Sequence, residues 1–309
     1  MKNALQYYYG LVTTDIHQTN KQYSFRIGKN NYVFLPTDRN IEELKEVYQI
    51  SKLLNQQGIY SHDIVLNNSG GMITFVNQMP YILLQTYVKN DDIVILSDLI
   101  YFQNKTKKIS SHPLLVRNDW YALWTNKIDY FEYQVSQLSK KYPRIRESFS
   151  YFVGLAETSI SLFQMLGKKD AKNLSIAHKR LHAHDTLFDL YNPLNFILDL
   201  PCRDASEYFK SAFIDQDDVI NEIIYYLNYS NLTEYEAQMF FIRLLFPTFY
   251  FDLYEDVITG EVKEKELLKV VVHVEKYEFM IKQVYQYLRT IIYLPEIEWL
   301  TELPLNYSH

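Results

Sequence analysis

The chain has 309 residues, of which 48% are hydrophobic and 22% are charged, and its formal net charge is -6. This is the composition of a folded globular protein, and a net negative charge predicts no nucleic-acid partner, since such partners normally require a basic face. The 28 tyrosines and 18 phenylalanines contrast with only 8 glycines, which argues against a nucleotide site built on a glycine-rich loop. The single cysteine, Cys202, excludes an internal disulfide and a Cys-x-x-Cys metal site.

Nothing in the sequence predicts export or membrane insertion. The first residues, MKNALQYYYGLVTTD, lack the sustained apolar run of a signal peptide. No run reaches the roughly 18 consecutive apolar residues that would span a bilayer. We therefore expect a protein without a membrane span that is made and folds in the reducing cytoplasm.

The N-terminal part of the chain has strand character. Residues 22–27 and 31–35 are β-prone runs on either side of Gly28, which predicts a hairpin. Further strands are predicted at 72–76 and 81–87. These strands indicate a small antiparallel sheet.

One strong helix interrupts these strands. It is predicted to begin at Asn40, because Glu43 completes a capping-box pattern and apolar residues then recur at helical spacing. Gly58 stands where a C-terminal cap is expected. The sheet and this helix together predict a small α+β lobe over residues 1–90.

From residue 91 onward the periodicity is mainly helical. Helices are predicted at 97–104, 119–138, 143–167, 205–213, 217–227, 233–246, 247–258 and 262–292. The aromatic residues that recur at helical spacing are predicted to form core. This part forms a second, larger lobe over residues 91–309, with the boundary near residues 89–92.

The stretch at 174–210 is different in kind. It is predicted to contain an apolar strand, a loop rich in histidine and aspartate, a second apolar strand at 196–198, and a helix. Loops that are positioned by rigid strands commonly carry reactive groups. This stretch is therefore the predicted functional region.

Three segments carry a family resemblance: YFVGLAETSISLF at 151–163, LSIAHKR at 174–180 and FILDLPCRDASEYFK at 196–210. They resemble spore coat proteins of the CotS and YutH group, with YutH the closer match. That group looks like a branch of the aminoglycoside and choline kinase-like fold. The resemblance implies an α+β, two-lobed protein kinase-like fold, association with the endospore coat, and other spore coat proteins as partners.

The resemblance also implies where catalytic groups should lie. Active members of the wider fold have H-x-D-x-x-x-x-N, in which the Asp accepts the substrate proton and the Asn holds a metal ion. The matching positions here are His178, Arg180 and Asp185. Arg180 cannot act as a base, because a guanidinium stays protonated at any working pH. Asp185 could still bind a cation, and the second metal-binding Asp is either Asp189 or Asp199.

The small lobe lacks the expected phosphate-binding residues. An active kinase places a Lys on the strand before the main helix, where it pairs with a helix Glu. The strand here, NYVFLP, contains no Lys, and Lys29 lies in the turn before it. Glu42, Glu43 and Glu46 therefore have no obvious strand partner, and no G-x-G-x-x-G occurs.

Several residues of the central stretch have both a structural and a chemical interpretation. His178, His182 and His184 with Asp185 could form a metal cluster, but such loop histidines are more often solvated or bonded to backbone, so we expect no metal site. His178 is expected to orient the loop through a backbone hydrogen bond.

The start of the last helix in this stretch also has two interpretations. Asp204 is predicted to be the N-cap of helix 205–213, with Glu207 in the capping-box position. The fold implies a compatible alternative, in which Asp204 holds the catalytic loop from beneath. Arg203 either pairs with a loop carboxylate or lies on the surface, and Cys202 is expected to be a small packing residue.

Two functions follow. The leading hypothesis is an endospore coat-associated pseudokinase with a structural or interaction role, no catalytic residue and no cofactor. The alternative is a divergent ATP-dependent small-molecule phosphotransferase, similar to aminoglycoside, choline or homoserine kinases. It would use MgATP, hold metal with Asp185 and either Asp189 or Asp199, and bind a small molecule in an interlobe cleft.

Overall fold

The computed structural model describes residues 1–86, 92–107, 109, 112–138, 140–167, 174–215 and 218–301. Grouped by their internal contacts, the residues form two compact units, and each is built from three segments. The first unit comprises Met1–Val94, Ile109–Val116 and Asp185–Leu198, and the second comprises Ile95–Lys108, Arg117–His184 and Asp199–His309. The lobe boundary predicted between residues 90 and 91 lies outside the described residues.

The first unit contains an antiparallel sheet. The strands of the chain are β1 (Ile16–Thr19), β2 (Gln22–Ile27), β3 (Asn30–Pro36), β4 (Asp63–Val65), β5 (Thr74–Val76), β6 (Met79–Thr86), β7 (Ser175–His178) and β8 (Phe196–Asp199). The first six form the sheet, in the order β1-β2-β3-β6-β4, with β5 paired to β6. The predicted small antiparallel sheet is therefore confirmed.

The register of the sheet places aromatic residues on one face. Gly28 adopts φ +60 in the turn between β2 and β3, a conformation that favours glycine. Phe25 then lies opposite Tyr32, and Phe34 lies opposite Leu83 on β6. These four side chains are buried in one apolar cluster, which packs one face of the sheet.

Helices make up most of the second unit. The helices of the chain are α1 (Lys2–Tyr9), α2 (Ile41–Gln56), α3 (Leu96–Lys105), α4 (Trp120–Leu138), α5 (Pro143–Leu166), α6 (Leu187–Leu190), α7 (Cys202–Ile214), α8 (Ile220–Tyr229), α9 (Glu234–Leu245), α10 (Thr248–Thr259), α11 (Leu268–Val271), α12 (Val274–Arg289) and α13 (Glu298–Thr301). Within the described part of the chain, no helix combines the length and apolarity needed to cross a membrane.

Local capping sets several of these helix ends. The Asn40 side chain accepts a hydrogen bond from the Glu43 N–H at 2.9 Å, as expected at the start of α2. Thr233 and Glu236 form the reciprocal capping box that was predicted for α9. Pro143 occupies the first turn of α5, where its missing N–H costs no hydrogen bond.

The prediction of one long helix at 262–292 is wrong. The structure has a short 3-10 turn at Glu264–Leu267, then α11 and α12, and α12 ends at Arg289. The break falls in the sequence KVVVHVEK. A run of β-branched valines loses side-chain freedom in a helix, and this offsets the apolar periodicity on which the prediction depended.

Stacked aromatic rings form much of the core of the second unit. The rings of Phe152 and Tyr250 stack with centroids 3.8 Å apart, and those of Trp124 and Phe246 stack at 4.3 Å. Tyr250 is fully buried. The prediction that the aromatic stripes form core is confirmed for these residues, and their burial supplies much apolar area.

Candidate functional site

The central stretch contributes to both units. Its middle segment, Asp185–Leu198, belongs to the first unit, and the residues on either side of it belong to the second. Asp185 and Asp189 therefore lie in the first unit. The other candidates, His178, Arg180, Asp199, Arg203 and Asp204, lie in the second.

In the second unit, the first turn of α7 holds the loop that follows β7. The His178 N–H donates to Asp204 Oδ1 at 2.9 Å, and His178 Nδ1 lies 2.7 Å from Asp204 Oδ2. Arg203 donates to the carbonyl oxygens of His178 and Lys179. We call His178, Arg203 and Asp204 the loop anchor. Since the His178 side chain is fully buried, these bonds fix the loop backbone firmly.

The N-cap prediction for Asp204 is wrong. Helix α7 begins at Cys202, with Pro201 in the N-cap position, so Asp204 lies inside the first turn. Proline is well suited to a helix start because its φ is preset. The Asp204 carboxylate bonds His178 instead of a helix N–H. Cys202 is fully buried, as expected of a packing residue.

Arg180 is held by a carboxylate from α10. Its Nε and Nη2 donate to the two oxygens of Asp252 at 2.8 and 2.9 Å, a bidentate geometry that matches the planar guanidinium. Burial disfavours the charge, but the hydrogen bonds to Asp252 and the field of Glu207 keep the pKa of Arg180 above its ordinary value. The side chain is therefore a permanent cation.

Asp199 ends β8 and is completely buried. Its Oδ2 accepts hydrogen bonds from Trp120 Nε1 at 2.9 Å and from Arg203 Nη1 at 2.7 Å, while Oδ1 accepts from the Leu200 N–H. Burial raises the pKa of this carboxyl, although Arg203 acts in the opposite direction. Both oxygens thus have donors from the protein itself.

A buried ion cluster lies along the next turn of α7. We define it as Glu207, Lys210 and Arg243. Glu207 Oε1 is 3.1 Å from Lys210 Nζ and 3.0 Å from Arg243 Nη2, so one carboxylate serves two buried cations. Burial opposes the Glu207 charge, but the two cations outweigh it and hold the pKa of that carboxyl well below its usual range.

The same burial acts on the two cations of the cluster. It lowers the pKa of Lys210 to about 8 and that of Arg243 to about 10. Lys210 also donates to the carbonyl oxygens of Arg243 and Phe246. These bonds to carbonyl oxygens stabilise the buried Lys210 ammonium, whose counter-ion Glu207 is shared with Arg243.

This cluster was not predicted from the sequence. Glu207 was predicted to complete a capping box, which the structure contradicts because Glu207 bonds Lys210, Arg243 and Thr248 instead. A signal was present in α9, where Arg243 stands in the run FFIRLL. A charged residue in an apolar helical run is rarely fully buried without a partner, so this position pointed to a buried carboxylate.

In the first unit, Asp189 belongs to α6 and caps it. Its Oδ2 accepts hydrogen bonds from the Thr186 N–H at 3.0 Å and from Thr186 Oγ1 at 2.9 Å. The main-chain oxygen of Asp185 accepts from the Val94 N–H. Asp189 and Thr186 also line a cavity of about 310 Å³ with residues of the sheet, namely Thr19, Gln22, Ser24 and Val33, and with Phe188.

The glutamates of α2 have partners outside β3. Glu43 pairs with Arg39 at 3.5 Å, and Glu42 pairs with Lys45 at 2.9 Å. Glu46 accepts a hydrogen bond from the Leu114 N–H. Since β3 contains no lysine, the strand-to-helix ion pair of active kinases is not formed there.

Two further histidines of the loop lie near the protein surface. The rings of His182 and His184 stack with centroids 5.3 Å apart. His184 is exposed, and its Nδ1 is 3.6 Å from Asp215 Oδ2. Unlike these two, His178 is buried and bonded to Asp204, so the three histidines do not share one environment.

Comparison with known proteins gives a consistent family. The profile of the family described as "Spore coat putative kinase YutH" matches residues 2–291. The chain is 22% identical over 342 residues to the endospore coat-associated protein YutH of Bacillus subtilis (strain 168), which covers 97% of this chain and 98% of that protein.

Solved structures show a similar fold. An aminoglycoside phosphotransferase from Alicyclobacillus acidocaldarius has a TM-score of 0.70 at 11% identity, covering 94% of this chain and 97% of that one. An AMP-bound spectinomycin phosphotransferase has a TM-score of 0.58 at 13% identity, covering 92% and 96%. At such identities the likeness shows the kinase-like fold alone, and the predicted α+β, kinase-like fold class is confirmed.

Proposed function

Because the chain belongs to the spore coat YutH family, we propose that it is an endospore coat-associated pseudokinase, which acts through structure or interaction and does not transfer phosphate. The association with the coat is proposed by extension from the Bacillus subtilis relative. Other spore coat proteins are its proposed partners.

The observation that carries the proposal is the ion pair between Arg180 and Asp252. General-base catalysis requires a group that can accept a proton from the substrate hydroxyl. The family resemblance assigns Arg180 to that position, and its guanidinium is paired with both oxygens of Asp252. Arg180 cannot accept a proton, and Asp252 has both of its oxygens engaged by the Arg180 guanidinium.

Two of the three candidate metal-binding carboxylates, Asp189 and Asp199, fit Mg²⁺ poorly. Mg²⁺ demands near-octahedral oxygen ligands and is usually held by carboxylates and phosphate oxygens. Asp199 already accepts from Trp120, Arg203 and Leu200, and Asp189 accepts two bonds within its own cap. We derive no catalytic step through MgATP and propose that no cofactor is used.

The alternative, a divergent phosphotransferase, has one observation in its favour. The cavity of about 310 Å³ in the first unit is lined by Asp189 and by three polar residues of β1 and β2, Thr19, Gln22 and Ser24. Hydroxyl and amide groups on a sheet could bind a small molecule. In this alternative Asp189 would be the residue that contacts metal or substrate.

The test is magnesium-dependent ATP turnover by the purified chain, with a panel of amines and alcohols as acceptors. We expect no turnover above the protein-free background for the wild type. Turnover that Asp189→Asn abolishes, while Asp63→Asn leaves it intact, would establish the alternative. Asp63 is a suitable control because it pairs with Lys52 and does not line the cavity.

A double variant distinguishes two explanations for inactivity: loss of the catalytic base alone, and loss of the whole catalytic site. Arg180→Asp with Asp252→Asn restores a carboxylate and removes the one it would repel. Turnover that appears only in this variant would show that the Arg180–Asp252 pair blocks an otherwise intact site. The coat association is tested separately, by extracting the coat fraction of spores from the producing organism and probing for the chain.

A further inference from the structure

A small cavity in the second unit has a strongly cationic lining. Its volume is about 180 Å³, and it is lined by Trp120, Leu123, Trp124, Lys127, Arg180, Arg203, Arg243, Phe246, Thr248 and Phe251. We call it the cationic cavity. Four of these described lining residues carry a positive charge, and none of them is acidic.

The floor of the cavity is buried and its rim is accessible. Trp120 and Arg243 are 1% and 2% exposed, whereas the side chains of Lys127 and Arg180 are 29% and 35% exposed. A ligand that enters from solvent would therefore first meet Lys127, which is 2.8 Å from Glu255, and Arg180, which is paired with Asp252. It would then reach groups that water scarcely contacts.

The floor contains a donor without an acceptor. Arg243 Nη2 bonds Glu207, but its buried Nε finds no hydrogen-bond partner among the described residues. A buried N–H that lacks an acceptor costs free energy comparable to a lost hydrogen bond. Arg243 is also stacked on Trp120, with Cζ 4.6 Å from the ring centroid, which fixes the direction of the guanidinium.

The charge around the floor is incompletely balanced. Glu207 is the ion-pair partner of both Lys210 and Arg243, and all three are buried. The buried Asp199 carboxylate also acts on Arg243, but it is already bonded to Arg203, so three buried cations share two carboxylates. An uncompensated buried cation is unfavourable unless another anion lies close by. The Arg243 Nε–H without an acceptor and the carboxylate shared by two cations are separate observations. Both favour the binding of an anion at this position.

We propose that the cationic cavity binds a small oxyanion, a carboxylate or phosphate group, with Arg243 as the buried donor and Lys127 at the rim, where the ligand would share Lys127 with Glu255. Guanidinium forks match the oxygen geometry of both groups. The cavity has space for one small anion, not for a nucleotide with its base. Anion binding at this cavity requires neither Mg²⁺ nor phosphate transfer, so it is an activity beyond the proposed function.

Calorimetric titration of the full chain with inorganic phosphate and, separately, with benzoate tests the proposal. Both titrations are made at constant ionic strength in chloride, since salt screens exposed charges. We expect at least one of the two to bind at millimolar concentration and to change the tryptophan fluorescence, because Trp120 and Trp124 line the cavity. Phosphate binding alone would identify a phosphate site, and benzoate binding alone a carboxylate site.

Variants locate the binding. Lys127→Met should weaken it about tenfold, the loss expected for one charge-assisted contact, and Arg243→Met should weaken it further. The matched control is Lys269→Met, since Lys269 pairs with Glu266 and does not line the cavity. If Arg243→Met does not fold, Lys127→Met decides the result. Absence of binding by both anions, or binding that Lys127→Met leaves unchanged, would overturn the proposal.

Discussion

The two units hold their parts of the central stretch by different chemistry. In the first unit, Arg39 donates to the carbonyl oxygen of Leu194 and His62 Nε2 bonds that of Phe188 at 3.0 Å. In the second unit, the stretch also bonds backbone groups, but its charged side chains form buried ion pairs as well, as in the pairs of Arg203 with Asp199 and of Glu207 with Lys210.

The difference explains why one part of the stretch has a distinctive sequence. A contact to a backbone carbonyl is largely indifferent to the side chain of the residue that provides it. A buried ion pair requires both side chains, since removal of one partner leaves an uncompensated charge. In the motif LPCRDASEYFK, charge pairing therefore constrains Arg203, Glu207 and Lys210. The bonds from Arg39 and His62 to residues 185–198 are instead made to the backbone.

The largest effect is expected at the buried ion cluster. Glu207→Gln removes the carboxylate that Lys210 and Arg243 share and should lower the free energy of unfolding by about 3–5 kcal/mol, measured by urea denaturation. The control is Glu266→Gln, which breaks the exposed pair with Lys269 and should cause no measurable change. Equal losses in the two variants would show that the buried ion cluster contributes no more to stability than the exposed Glu266–Lys269 pair.

The first unit should instead be sensitive to acid through His62. Burial lowers the pKa of His62 to about 4 from 6.5, so the unfolded state binds more protons than the folded state between these values. The contribution of His62 to the free energy of unfolding is therefore fully present above pH 6.5. It falls by up to about 3 kcal/mol as the pH decreases to 4.

Chemical denaturation at several pH values measures this loss. His62→Gln, which lacks a titrating ring, should show a flatter pH profile over the same window. A profile identical to that of the wild type would mean that His62 does not contribute as its burial implies.

The loop anchor should give an intermediate effect. Asp204→Asn keeps the shape of the side chain but removes the charge that receives the His178 N–H and Nδ1, so we expect a loss of about 2 kcal/mol. The paired control is Asp215→Asn, because Asp215 and its partner His184 are both exposed. A change of less than about 0.5 kcal/mol in both variants would show that the anchor is not important for stability.

The smallest effect is expected at the start of α2. Asn40→Ala removes the side-chain acceptor for the Glu43 N–H and should cost about 1 kcal/mol, as is usual for an N-cap. Thermal denaturation measures it, and Asn40→Asp, which retains the acceptor, should remain near wild-type stability. A loss in Asn40→Asp as large as that in Asn40→Ala would contradict the capping role.

Local signals in the sequence predicted much of the fold. The caps at Asn40 and Thr233 and the proline at the start of α5 act through residues within a few positions of one another, so they are readable without tertiary structure. Helix α1 and the short strands β1 and β4 were missed. Strand β4 has only three residues and is defined by its pairing with β6, which lies elsewhere in the sequence.

The candidate site was predictable only in part. The family resemblance assigns Arg180 to the base position, and a guanidinium at that position cannot accept a proton. Its partner Asp252 lies 72 residues away, and Asp199 is bonded by Trp120 from 79 residues away. No sequence pattern links residues so far apart in the chain. The hydrogen bonds of these two carboxylates could therefore be identified only from the structure.

We propose that the chain does not use MgATP, and calorimetric titration of the purified chain with ATP tests this directly. The titration is made with and without Mg²⁺, because a terminal phosphate of ATP could reach the cationic cavity in the absence of the metal. We predict no magnesium-dependent heat and no magnesium-dependent rise in melting temperature. A saturable magnesium-dependent signal with a rise of several degrees would show that the nucleotide binds the folded chain, and would contradict the claim.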